Sequence, residues 1–236
     1  MNLEQIMRRK LIIAIDGTAG SGKSSVSKLV AKKLGLLYLD TGAMYRALTL
    51  KATRKSLNLE DKAALVEMAK NTKMKLEAGP DSDKVKVILD GEDVTREIRT
   101  PELTENIKYI ARVPGVRECM VKIQRSIGEK SGAVLEGRDT TTVVFPDSAY
   151  KFYLDADLNE RAKRRFKELK ALGMKATLEE VQEDAKKRDI SDQTRSVGAL
   201  KKAKDAICID TTNMTIEEVV EKILKKVNSA NFRQLA

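Results

Sequence analysis

Histidine and tryptophan are absent from this chain of 236 residues, and cysteine occurs only twice. Without histidine there is no imidazole general base, no Ser-His-Asp triad and no histidine-ligated transition metal. The two cysteines, Cys119 and Cys208, stand in no metal-ligand spacing and read as buried, reduced thiols. Aromatic residues make up 4% of the chain, a poor supply for platforms that stack single-stranded nucleic acid. No apolar run approaches the ~20 residues of a membrane span, and the N-terminal "MNLEQIMRRKLII" has no stretch apolar enough for a secretory signal. The expectation is a cytoplasmic protein with no membrane contact.

What is present suits a single folded core. Hydrophobic residues make up 42% and charged residues 34%, ordinary values for a globular protein. Lysine and arginine together number 45 against 35 acidic residues, a formal net charge of +10. Such an excess fits a polyanionic partner, either nucleic acid or a phosphorylated small molecule.

Short apolar runs alternate with helical periodicity along the chain. "LIIAI" (11–15), "LLYL" (36–39), "AVLE" (133–136), "YKFYL" (150–154) and "AICI" (206–209) read as buried strands. Val26, Leu29, Val30 and Leu34 recur at helical spacing, as do Val116, Met120, Ile123 and Ile127. Apolar strands separated by helices predict an α/β fold, a parallel sheet covered on both faces. Two stretches break the rhythm. Residues 72–95 alternate polar and apolar around a Gly-Pro turn, as a small antiparallel hairpin does. Residues 158–195 are densely charged, with Gly173 marking a turn between two helices.

The strongest local signal is "GTAGSGKS", which satisfies G-x-x-x-x-G-K-[ST] between a strand and a helix. Its glycines permit the backbone geometry that turns successive N–H groups toward an anion at a helix N-terminus. The segment Gly17, Thr18, Ala19, Gly20, Ser21, Gly22, Lys23, Ser24 and Ser25 is therefore the expected cradle for a nucleoside triphosphate. Lys23 reaches the β- and γ-phosphates in this reading, and Ser24 supplies a hydroxyl to Mg²⁺.

No N-K-x-D or D-x-x-G motif of a GTPase occurs, and the acidic end of the third strand, "AVLEGRD", breaks into Gly-Arg-Asp. Arginines with neighbouring aspartates recur instead in "DTGAMYR", "GVRE", "EGRD" and "RDISDQTR". Planar guanidinium groups converging from several loops predict a second anionic substrate.

Seven blocks, "IDGTAGSGKSS", "YLDTGAMYRALTL", "ILDGEDVTREIRTPE", "VPGVRE", "EGRDTTTVVFPD", "FYLDADLNERAKRR" and "KRDISDQTRSVGAL", resemble in order and spacing those of the bacterial cytidylate kinases. The resemblance spans residues 10–227. It implies a P-loop nucleoside monophosphate kinase fold with a five-stranded parallel core, within one domain over 1–236. The core would comprise 10–57, 97–157 and 196–227, with a monophosphate-binding region at 58–96 and a lid at 158–195. The implied reaction is phosphoryl transfer from ATP, with Mg²⁺, to CMP or dCMP. The implied protein is a monomer that needs no nucleic acid.

The same resemblance implies roles for single residues. Thr41 and Arg46 match positions that hold the acceptor, and Arg117 matches one that reads cytosine. Arg138 and Asp139 match the acceptor-site Gly-Arg-Asp. Arg188 matches a phosphate-gripping arginine, Asp192 one that holds the ribose, and Arg195 one near base and phosphate. Lys23, Arg138, Asp139 and Arg188 are thus the candidate catalytic set. Arg161, Arg164 and Arg165 fall in the lid, over the transferring group. The chain departs from the family pattern at Thr141, in place of a glycine, and at Lys108, in place of a serine near the base. Those departures leave open a small P-loop kinase for UMP, AMP or shikimate, and the net charge of +10 leaves open a P-loop nucleic-acid-binding protein.

Overall fold

The computed structural model describes residues 11–78, 85–171 and 173–233. Strand β1 (Ile12–Gly17) leads through the glycine loop into helix α1 (Lys23–Leu34), which returns to β2 (Leu37–Asp40). Helices α2 (Thr41–Arg54) and α3 (Lys62–Lys70) follow, then β3 (Met74–Ala78), β4 (Val85–Leu89) and the short β5 (Glu92–Asp93). Next come α4 (Pro101–Ala111), α5 (Pro114–Ser131), β6 (Ala133–Gly137) and, past a single π turn at Thr140–Val144, β7 (Tyr150–Asp155). Helices α6 (Leu158–Ala171) and α7 (Leu178–Thr194) precede β8 (Ile207–Asp210) and α8 (Ile216–Arg233).

The five expected strands form one parallel sheet in the order β2-β6-β1-β7-β8. Its faces divide the side chains by alternation. Ala133 and Leu135 of β6 pack under α2, α4 and α5, whereas Val134, with Ile13 and Ile15 of β1, packs under α1 and α8. Both faces are covered, which is why these strands read as continuous apolar runs rather than alternating ones.

The second sheet is antiparallel, β3-β4-β5, and is held to α2 through Lys51. That buried ammonium pairs with Asp90 at 2.6 Å and donates to the Asn71 carbonyl and the Thr72 hydroxyl at 2.9 and 3.0 Å. The expected Gly-Pro turn at 79–80 lies outside the described residues. The charged stretch folds as α6 and α7, joined through Gly173 at φ 72°. A capping box of Thr177 and Glu180 starts α7.

One expectation fails. Cys208 is exposed and Cys119 only half-buried, not the buried thiols expected from their apolar surroundings. Strand β8 lies at the sheet edge, and only Ile209 of its four residues is buried. Among the described residues, no helix is long and apolar enough to cross a membrane.

Candidate active site

The sheet register brings the C-terminal ends of its strands level. Asp16 pairs with Gly137, Asp40 with Glu136, Gly17 with Leu154 and Asp155 with Asp210. Open α/β sheets bind ligands at this edge, where the loops leaving neighbouring strands diverge.

The glycine loop fills the centre of that edge. A side chain at Gly17 would lie 1.9 Å from the Leu154 carbonyl oxygen, so only glycine lets β1 pass β7 there. Gly22 caps α1 in the left-handed region at φ 85°, with no side chain bonded to the helix end and no acidic residue in its first turn. The α1 amides and the positive end of the helix dipole therefore face the cleft. Lys23 is buried, and its ammonium donates to the Thr18 carbonyl at 2.5 Å, closing the loop on itself. Ser24 and Ser25 are exposed at the mouth.

The loop is braced from behind. Thr18 donates to Asp155 at 2.7 Å, and the Thr211 hydroxyl donates to the Ser21 carbonyl at 3.1 Å. Arg161 packs its Cβ against Gly20 and donates to the Ala19 carbonyl at 3.0 Å. The same guanidinium pairs with Asp189 of α7 at 2.7 Å.

Opposite the loop, the arginines are mostly paired with aspartates. Arg46 pairs with Asp40 at 3.1 Å, and Asp40 also caps α2 by accepting from the Ala43 amide at 2.8 Å. Thr41 donates to the Glu136 carbonyl at 2.7 Å. Arg117 pairs with Asp139, and Asp192 takes both Arg138 and Arg195. Two arginine cations hold the Asp192 carboxyl below its ordinary range, although burial alone would raise it. Arg188 differs, since it makes no hydrogen bond or ion pair among the described residues. Burial and the nearby Arg138 guanidinium lower its pKa. The ε-nitrogens of Arg117 and Arg195 are buried donors with no acceptor among the described residues.

Donor and acceptor sides are close enough to feel each other. Burial, then the charge of Arg138, and also that of Arg188, push the Lys23 ammonium down to about 7. Glu136 and Asp192 partly offset this crowding of Lys23, Arg138 and Arg188, and a bound polyanion would offset the rest.

Residues 13–229 match the family described as cytidylate kinase. A cytidylate kinase of Desulforamulus reducens is 52% identical over 212 residues, covering 90% of this chain and 94% of its own. The chain belongs to the cytidylate kinase family. A second relative, a cytidylate kinase of Caldanaerobacter subterraneus subsp. tengcongensis, is 48% identical over 91% of this chain and 93% of its own. The crystal structure of an uncharacterized protein from Eubacterium ventriosum shares the fold, with a TM-score of 0.51 at 16% identity, covering 93% of this chain and 99% of that one.

Within this cytidylate kinase family member, the three arginines of α6 that were expected in a lid part company. Arg161 joins the glycine loop to α7, as described. Arg164 donates to the Thr211 and Thr212 carbonyls at 2.7 and 3.1 Å. Arg165 pairs with Glu168 on an exposed face, yet lies near enough to Arg188 to oppose its charge. Lys108 is exposed, its ammonium 5.2 Å from the Tyr109 ring centre. Thr141 is buried and bonded to Asp16.

Glu136 is the residue that sequence reasoning passed over. It is buried, hydrogen-bonded to the Tyr38 hydroxyl and to Ser24, and close to Lys23. Burial, then the neighbouring Asp40 carboxylate, raise its pKa, while Lys23 works in the other direction. Its signal was available, an acidic residue near the end of the strand beside the glycine loop. The Gly-Arg-Asp that follows it masks that signal.

The group around Ser24 also fits Mg²⁺. A serine hydroxyl at the cleft mouth, backed by a carboxylate, offers hard oxygen donors. Among the described residues no cluster of three or more carboxylate or thiol side chains forms a metal cage. Mg²⁺ in phosphoryl-transfer sites takes few protein ligands and keeps water and phosphate oxygens, so a sparse set is what it requires.

Proposed function

We propose that this protein transfers the γ-phosphoryl group of ATP to CMP or dCMP, giving ADP and CDP or dCDP. The observation that carries this reading is the crowding of Lys23, Arg138 and Arg188 around one cleft, beside the bare N-terminus of α1. Family membership supplies the acceptor.

In this mechanism the amides of Gly17 to Ser25 and the Lys23 ammonium hold the β- and γ-phosphates. Ser24, with Glu136 behind it, would hold Mg²⁺, which would supply charge neutralisation at the phosphates. Thr41, Arg46 and Arg188 orient the acceptor and its phosphate, Asp192 holds the ribose, Arg195 stands near base and phosphate, Arg117 reads the base, and Arg138 and Asp139 complete the acceptor side. An acceptor phosphate oxygen, already anionic at pH 7, attacks the γ-phosphorus. The bond to the β,γ-bridging oxygen breaks, and its electron pair leaves with ADP. No proton need be removed, so a chain without histidine loses nothing. Catalysis comes from in-line positioning and from cations that neutralise the transferring group.

Residues 158–195 serve as a lid in this reading, with Arg161, Arg164 and Arg165 on its first helix. Closure over both substrates keeps water from the γ-phosphate. The protein acts as a cytoplasmic monomer.

The test is ADP release from Mg·ATP with CMP, dCMP, UMP, AMP, GMP, dTMP and shikimate offered separately. Strong activity with CMP and dCMP alone is the expected result. Preference for another acceptor overturns the assignment of the acceptor side and keeps the donor side. Activity with none of them overturns the proposal.

A further inference from the structure

The loop that carries Arg138 and Asp139 is fastened to the glycine loop by a contact that neither substrate touches in the mechanism above. Asp16, the residue before Gly17, is fully buried, and its carboxylate accepts four hydrogen bonds. The Thr140 amide and hydroxyl meet Oδ1 at 2.9 and 2.8 Å. The Thr141 amide and hydroxyl meet Oδ2 at 2.7 and 2.6 Å. Both threonines are buried as well.

We propose that Thr140 and Thr141 are positioning residues, which key the acceptor loop to the donor loop through the Asp16 carboxylate.

Backbone geometry explains why such a key is needed. After Asp139 the chain makes one wide π turn, in which the Val144 amide donates to the Asp139 carbonyl at 3.1 Å and the Phe145 amide to the Thr140 carbonyl at 2.9 Å. The first amides of that turn have no partner within it, and a buried N–H without a partner is costly. Asp16 supplies both acceptors from the neighbouring strand. The amides alone would satisfy the turn. The two hydroxyls add a second bond to each carboxylate oxygen, and thereby fix the carboxylate plane and the lateral setting of the loop. Arg138 and Asp139 directly precede this anchor, and Lys23 lies one turn of loop beyond Asp16. The donor-to-acceptor distance is therefore set through this contact, and misplacement of reacting groups by about 1 Å costs on the order of a hundredfold in rate.

The test rests on the proposed CMP kinase activity, so wild-type turnover with CMP is measured first; its absence would count against that activity and not against the anchor. T140V/T141V keeps both amides and removes both hydroxyls, whereas T140S/T141S keeps the hydroxyls. The expected result for the valine pair is a kcat lower by about tenfold, with KM for ATP and for CMP each within about threefold of wild type. The serine pair should return kcat to within about twofold. A folded valine variant with wild-type kcat overturns the proposal, as does a serine variant no better than the valine one. Should the double valine variant not fold, T141V and T141S are compared under the same criteria.

Discussion

Arg117 on α5 and Asp139 after β6 face each other as an ion pair whose side chains are only 4% and 8% exposed. The guanidinium also donates to the Ala111 carbonyl at 3.1 Å and lies 5.6 Å from the centre of the Tyr45 ring. Removing one member leaves the other charged, buried and unpaired. Asp139→Asn should therefore cost ~3–5 kcal/mol of stability. The double variant Arg117→Met with Asp139→Asn should be clearly more stable than the sum of the two single losses implies. Urea unfolding of the four proteins measures this cycle. Additive losses would mean that the pair is not coupled.

A second prediction has opposite signs for activity and stability. The Lys23 ammonium is disfavoured by burial and by Arg138 and Arg188 when no nucleotide is present. Lys23→Met should lower kcat on the order of a hundredfold or more. The same change should leave the nucleotide-free protein as stable as wild type or more so, because a strained charge is gone. It should also shrink the rise in Tm that ATP produces in wild type. Thermal melts with and without Mg·ATP, beside steady-state rates, separate the two effects. A large drop in nucleotide-free Tm would contradict this account of Lys23.

Which features were legible in the sequence follows from the range of the interactions that define them. The five strands announce themselves because burial on both faces makes each a local apolar run, as "LIIAI" and "YKFYL" are. The glycine loop is equally local, since positive-φ glycines and a lysine lie within eight consecutive residues. The Asp16 anchor was not legible, because its partners stand 124 and 125 residues away and threonine has no fixed structural meaning. Nor could "RAKRR" distinguish its three arginines. Arg161 is buried beneath the glycine loop, Arg164 meets the turn after β8, and Arg165 stays on the surface, a sorting made by α6's neighbours alone. The assignment of Cys208 as a buried thiol failed for a related reason. An apolar run marks a strand, but only the sheet order shows that β8 is an edge.

The Asp192 carboxyl has its pKa depressed in the folded protein, with Arg138 and Arg195 outweighing the effect of burial. A group with a depressed folded pKa contributes stability that is fully present above its unfolded value, near 3.8, and is lost as pH falls through the folded value. Asp192→Asn should be less stable than wild type at neutral pH. Its stability should fall less steeply than that of wild type once pH drops below about 4. Unfolding free energies measured from pH 6 down to the acid transition test this. Parallel curves for the two proteins would show that Asp192 contributes no linkage.

The contact between the glycine loop and the proposed lid bears on how water is excluded. Arg161 donates to the Ala19 carbonyl at 3.0 Å while pairing with Asp189 of α7 at 2.7 Å, so one guanidinium spans both structures. Replacing Asp189 with asparagine removes the charge partner and leaves the glycine loop's own residues unchanged. The second helix of the lid should then be held less firmly over the triphosphate. ATP hydrolysis without acceptor should rise severalfold relative to transfer to CMP, while Kd for ATP changes less. In wild type, hydrolysis without CMP should be a small fraction of the rate with CMP. Phosphate release and ADP release, followed in parallel, separate hydrolysis from transfer because only hydrolysis yields free phosphate. An unchanged ratio in Asp189→Asn would mean that this ion pair does not couple the lid to the nucleotide, and hydrolysis as fast as transfer in wild type would remove the lid's assigned purpose.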